Sequence, residues 1–137
     1  MLFDTHAHYD DARFDHDRDG LLASMPANGV GLILNPGCDL ETSRKALSYA
    51  ERFSHVYAAV GIHPENMEGV DLERDLPVLE ALAQSSPRVR AIGEIGLDYY
   101  WVKEPEERRF QAEVFRAQMR LAGRLGLPVI IHDREAH

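Results

Sequence analysis

The sequence predicts an α/β protein built as a parallel (β/α)8 barrel of the TIM type, of which about the first five strands are represented. Three observations carry that expectation. Five short apolar segments recur along the 137 residues. The stretches between them are each long enough for a crossover helix, so neighbouring strands are expected to run parallel. Polar residues able to do chemistry stand at the C-terminal end of segment after segment, which is where a barrel gathers its site.

The five segments are Leu2 to His8, Gly29 to Asn35, Val56 to His63, Val89 to Glu94 and Leu127 to His132. Their near-continuous Val, Ile, Leu and Ala content lacks the polar alternation of an exposed hairpin, as expected of strands covered on both faces. Between them, Asp39 is placed to cap a helix whose apolar face is Ala46, Leu47, Ala50 and Phe53. Asp75 is expected to cap another, with Pro77 tolerated in its first turn. The clearest helix follows Pro105. There Phe110, Val114, Ala117, Leu121 and Leu125 recur at three- or four-residue spacing until Gly126 and Pro128 stop it. An open doubly wound sheet is the rival topology. It usually places its chemistry at one switch point and opens a helix with a glycine-rich loop, and neither pattern is present.

A complete barrel needs eight strands and about 250 residues. The expectation is therefore that residues 1–137 form an N-terminal fragment of a single barrel domain. With 45% apolar and 28% charged residues the composition is that of one globular domain. A net charge of −8 disfavours nonspecific attraction to nucleic acid or anionic membranes, so an enzyme of phosphates would need local cations. A lone cysteine, Cys38, and the lack of a secretory pattern or long apolar run point to the cytosol and away from the membrane. No obligate protein partner is evident.

The strongest chemical signal is Asp4-Thr5-His6-Ala7-His8. Successive strand side chains point to opposite faces, so residues two apart share one; Asp4, His6 and His8 are therefore expected to converge, and two imidazoles can chelate one metal ion. An incidental H-x-H on a first strand is the bland alternative. Three further strand ends tip the balance: Gly61-Ile62-His63-Pro64, Gly93-Glu94-Ile95-Gly96-Leu97-Asp98 and Ile131-His132-Asp133-Arg134. In a barrel His6, His8, Glu94 and His132 would ring one mouth as metal ligands, and a carboxylate such as Glu94 can bridge two cations. The competing reading pairs Glu94 with Arg90 or Arg134 and leaves His132 as a satisfied strand-end histidine. His63 is assigned to substrate contact or to support of a ligand. Asp98 either holds substrate or caps a turn.

His16, His55 and His137 are expected at the surface, since none follows an apolar run. Tyr99, Tyr100 and Trp101 lie just past the fourth strand, where they could stack on bases or wall the mouth; walling is the reading adopted here. Arg108, Arg116, Arg120 and Arg124 are read as a solvated helix face.

Taken in order, Asp4-Thr5-His6-Ala7-His8, Gly61-Ile62-His63-Pro64, Gly93-Glu94-Ile95-Gly96-Leu97-Asp98-Tyr99 and Ile131-His132-Asp133-Arg134 resemble the TatD family of metal-dependent deoxyribonucleases across the whole chain. The resemblance implies a barrel of the amidohydrolase type. It also implies hydrolysis of DNA ends with two divalent metal ions, magnesium or manganese, or zinc. Under it His6 and His8 are the paired first-strand ligands, Glu94 the fourth-strand carboxylate, taken as the catalytic one, and His132 the fifth-strand histidine; His63, Asp98 and Arg134 are assigned here to contact with the DNA substrate. It implies a further histidine and an aspartate on later strands, outside this sequence. The alternatives are a metal hydrolase of ester, amide or aminoacyl-nucleic-acid bonds, since related barrels share ligands, and a noncatalytic metal-binding fragment.

Overall fold

The computed structural model describes residues 1–137. Five parallel strands pair in chain order: β1 (Leu2–Asp4), β2 (Val30–Pro36), β3 (Val56–Val60), β4 (Val89–Asp98) and β5 (Val129–Arg134). Four helices cross between them, α1 (Arg18–Ser24), α2 (Leu40–Arg52), α3 (Leu72–Gln84) and α4 (Pro105–Leu125). The result is half of a (β/α) barrel, as the run of apolar segments and crossover lengths predicts. No helix is long and apolar enough to cross a membrane.

The main core lies between the sheet and its helices, where Leu22, Ile33, Val56, Leu79, Ile92, Ile95 and Leu121 are fully buried. A smaller cluster, Leu34, Ala59 and Ala91 with Tyr57 and Ile130 against it, lines the concave face. Helix α2 starts as expected at Asp39: its carboxylate accepts the Thr42 N–H at 2.7 Å while the Thr42 hydroxyl takes the Asp39 N–H at 3.0 Å. The cap of α3 is Asp71, not Asp75; Asp71 Oδ1 accepts the N–H groups of Glu73 and Arg74. Asp75 sits one turn inside, buried, and reaches back to accept the Asp71 N–H at 2.9 Å. Pro77 consequently falls beyond the first turn. Helix α4 ends where Gly126 turns left-handed at φ 65°.

Four strands differ from expectation at the rim by two residues or more: β3 stops at Val60, leaving His63 on the loop after it, β5 runs two residues past His132, and β1 and β4 depart as follows. β1 stops at Asp4, so His6 and His8 stand on the turn after it. Only the Ala7 N–H continues the ladder, to the Leu34 carbonyl, before the Tyr9 N–H is taken by Asn35 Oδ1 at 2.6 Å and the chain bends away. β4 runs on to Asp98, with Gly96 opposite His132 and Asp98 opposite Arg134 on β5. Gly96 has φ +150°, and a Cβ there would lie 1.9 Å from the His132 carbonyl oxygen. Glycine is what lets the two strands close at this level.

Candidate metal centre

Four histidines and one glutamate meet at the C-terminal rim: His6 and His8 from the turn after β1, His63 from the loop after β3, Glu94 on β4 and His132 on β5. Glu94 is the hub, with a side chain only 6% exposed. Its Oε2 lies 3.0 Å from His6 Nε2 and 3.2 Å from His8 Nε2, and those two nitrogens are 3.1 Å apart. Its other oxygen, Oε1, lies 3.1 Å from His132 Nδ1 and 3.7 Å from His63 Nε2. One carboxylate therefore serves two clusters, His6–His8–Glu94 and His63–Glu94–His132. Arg90 and Arg134 take no part: they stack on Tyr57 and Tyr100 respectively.

Asp4, expected to share a face with the two histidines, stays behind and accepts the His6 N–H at 3.2 Å. Strand alternation is not what brings His6 and His8 together; the turn does. Asp10, which the sequence did not single out, is the second carboxylate beside His8, 3.8 Å from its Nδ1.

A chain of hydrogen bonds sets the tautomers on the β3–β5 side. The Glu65 N–H donates to His63 Nδ1 at 3.1 Å, so a neutral His63 carries its proton on Nε2. That proton points at His132 Nδ1, 3.1 Å away. His132 in turn donates from Nε2 to Asp98 Oδ2 at 2.9 Å, which leaves the Nδ1 lone pair facing Glu94. Asp98 is fully buried, and its other oxygen accepts the Trp101 N–H at 2.9 Å. Of the two roles expected of Asp98, the turn cap is the one found, at Trp101; its second oxygen, instead of opening to the mouth, backs the His132 ring.

The electrostatics match this network. Burial pushes the Glu94 carboxyl up, but the nearby His63 ring, the hydrogen bond with His8 and the charge of His6 outweigh it and hold the group well below the usual carboxylate range. Burial acts the same way on Asp98 and is overcome by the Trp101 N–H, His132 and Glu65. The Cys38 sulfur, 4.0 Å from His8 Nδ1, and then Glu94 raise His8 to about 10. The hub is a committed anion ringed by imidazoles.

The donor set fits divalent cations. Metal–nitrogen and metal–oxygen bonds of about 2.0–2.2 Å at tetrahedral or octahedral angles put neighbouring donor atoms about 3 to 3.5 Å apart, the spacing found around both Glu94 oxygens. Imidazole and carboxylate together suit zinc, manganese and related ions.

Outside the cluster, His16 and His137 are exposed as expected, but His55 is half buried and donates to the Leu22 carbonyl at 2.8 Å. Arg116, Arg120 and Arg124 are solvated, whereas Arg108 packs on Tyr99 and donates to the Val102 and Tyr99 carbonyls. Sequence reasoning also missed Gln111 and Gln118, both buried on α4. Gln118 bonds the N–H and carbonyl of Ile62, and Gln111 bonds the Asp98 N–H and the Pro64 carbonyl. Together they fix the ends of β3 and β4, and so His63 and Asp98. Two glutamines seven residues apart within an apolar helical stripe were the available signal.

Parallel strands that deliver histidines and a shared buried carboxylate to one rim define the metal-site class of α/β barrel. A family model described as TatD related DNase matches residues 3–137, and the chain belongs to that family. It is similar to the uncharacterized metal-dependent hydrolase YabD of Bacillus subtilis, 41% identical over 99% of this chain and 52% of that protein. It is also similar to the 3'-5' ssDNA/RNA exonuclease TatD of Cronobacter turicensis, 39% identical over 99% of this chain and 50% of that one. The crystal structure of the TatD homologue YjjV from Escherichia coli superposes with a TM-score of 0.88 at 34% identity, covering 99% of this chain and 52% of that one. The chain spans about half the length of the relatives it matches.

Proposed function

We propose that this chain supplies the larger share of a two-metal centre in a hydrolase that cleaves phosphodiester bonds at the ends of single-stranded nucleic acid. The single observation that carries the reading is the double engagement of Glu94, with His6 and His8 at one oxygen and His132 at the other. His6, His8 and Glu94 Oε2 would hold one divalent ion; Glu94 Oε1 and His132 Nδ1 would hold a second. Bound magnesium or manganese, or zinc, would supply Lewis acidity, lowering the pKa of water and polarising a phosphoryl oxygen.

The residues of the chain do the rest. Glu94, kept ionised, fixes the spacing of the two sites. Asp98 holds the His132 ring with its Nδ1 lone pair inward. His63, whose Nδ1 already accepts a backbone N–H, serves as a hydrogen-bond donor from Nε2 and not as a ligand, which suits contact with a substrate oxygen. Arg134, exposed on β5 two residues beyond His132, offers a cation for phosphate in a chain of net charge −8. The nuclease choice is supported by the exonuclease name of the Cronobacter relative. The cytosol fits a free thiol at Cys38.

Glu94→Ala tests the reading. In the full-length protein with manganese it is expected to reduce hydrolysis of a single-stranded oligonucleotide by at least about a thousandfold, since both proposed sites lose their shared ligand. Unchanged turnover refutes it.

A further inference from the structure

Beyond the metal centre, the loop after β4 presents an aromatic and cationic shelf. Tyr100 and Trp101 are 39% and 60% exposed and pack edge to face, with ring centroids 4.7 Å apart at 88°. The Arg134 guanidinium lies 4.1 Å from the Tyr100 ring and 5.6 Å from Trp101, without a carboxylate partner. Lys103 approaches the Tyr100 ring from another side at 5.5 Å. Exposed aromatic surface of this size is not needed for the fold, because neither ring belongs to the core.

The backbone beneath the shelf is anchored. The Trp101 N–H is fixed by Asp98, the Tyr99 N–H by the Arg134 carbonyl at 2.9 Å, and the Tyr99 carbonyl accepts from Lys103 at 3.0 Å and from Arg108 at 3.2 Å. Through Asp98 it is coupled to His132 by a single carboxylate. A rigid apolar plane beside unpaired cations, one side chain away from the metal centre, complements one ligand chemistry: a flat base joined to a phosphate.

We infer that Trp101 is a stacking platform for an unpaired nucleobase of the substrate, with Arg134 receiving the adjoining phosphate. The inference rests on the proposed nucleic-acid reading and adds to it the feature recognised, an unstacked base instead of the backbone alone. A base inside a duplex has no free face to offer, so the shelf selects single strands or frayed ends. Stacking tolerates any base, so it confers preference for strandedness and little for sequence.

Trp101 is the sole tryptophan, so its emission reports directly on the shelf. The test titrates the protein in magnesium with a short single-stranded deoxyadenosine oligomer carrying phosphorothioate linkages, and with an abasic strand of equal length. The base-bearing strand should quench Trp101 emission and the abasic strand should not. By anisotropy of the labelled strands, Trp101→Ala should weaken binding of the deoxyadenosine oligomer about 5- to 100-fold and that of the abasic strand far less. Trp101→Phe should recover part of the loss, and Arg134→Gln should weaken both strands and lower the salt slope by about one. Equal quenching by both strands, or an affinity indifferent to Trp101→Ala, overturns the inference. A wild-type protein that binds through Trp101 yet leaves unmodified single strands uncut in manganese sinks the proposed function alone; cutting with no dependence on Trp101 does the reverse.

Discussion

His132 has two ring nitrogens and three neighbours at them, His63 and Glu94 at Nδ1 and Asp98 at Nε2. The 2.9 Å contact from Nε2 to Asp98 decides which nitrogen faces the metal centre. Outer partners of ligating histidines are typically worth 10- to 100-fold in metal affinity. Asp98→Ala should accordingly weaken manganese binding by about that factor, measured by calorimetry, while Asp98→Asn, which keeps an acceptor, should fall between. Undiminished affinity in a folded Asp98→Ala protein would falsify the assignment. At this scale the four ligand candidates could be picked out because each closely follows an apolar run in the sequence, although Glu94 proves to lie inside β4 and His6 and His8 beyond β1. For Asp98 and His63 the sequence left two roles open each, substrate contact or turn cap for the one and substrate contact or support of a ligand for the other. Their roles depend on which nitrogen a backbone N–H or a carboxylate reaches, namely Glu65 at His63 and Asp98 at His132, and those contacts arise from loops closing across long sequence separations.

Elements position these side chains, and the least legible devices are at their ends. Helix α3 shows why. Asp71 and Asp75 are both capping-type residues one turn apart, and Pro77 argues for the later start, where it would lie in the first turn; the helix nevertheless begins at Asp71, which accepts two N–H groups while Asp75 closes back on it, and Pro77 lies inside the helix. Asp75 is buried against Arg74, whose guanidinium, with the Asp71 N–H, holds the Asp75 carboxyl below its ordinary value despite the cost of burial. A depressed carboxylate adds stability above its unfolded pKa of about 3.9 and loses that contribution as pH falls through the lower folded value. Asp75→Asn should thus cost about 1 to 2 kcal/mol at pH 7, as expected for losing hydrogen bonds to an ionised acceptor. In urea midpoints the gap from wild type should close below about pH 4; a gap independent of pH would show that the charge is irrelevant. Helix α4, by contrast, was legible in extent from its apolar spacing and its Gly126 stop. Its buried Gln111 and Gln118 escaped notice because periodicity scores them as polar, although they pin the two strand ends that carry His63 and Asp98.

At the scale of the molecule, five strands in chain order leave two open edges, β1 and β5, and a concave face covered by nothing. Leu2, Phe3, Leu32 and Ile131 are 68%, 54%, 38% and 51% exposed. Phe3 pairs in register with Leu32, and Ile131 with Ile95, whose side chain is buried in the main core. Ile131 therefore continues the helix-facing side of the sheet at a strand over which no helix lies. Such edges offer unpaired N–H and carbonyl groups as well as apolar area, and both drive strand-to-strand association. The net charge of −8 opposes close approach, but at about 0.15 M salt it is screened beyond roughly 8 Å, while edge pairing acts at contact distance. The 137-residue chain on its own should accordingly associate as concentration rises, seen as a growing weight-average mass in sedimentation equilibrium. Ile131→Lys, which places a charge on the uncovered side of β5, should shift the association to higher concentration. A sample that stays monomeric and unfolds in one cooperative step would show that the exposed rim strands are tolerated, and that the half-barrel with its Glu94 hub is a self-sufficient fold.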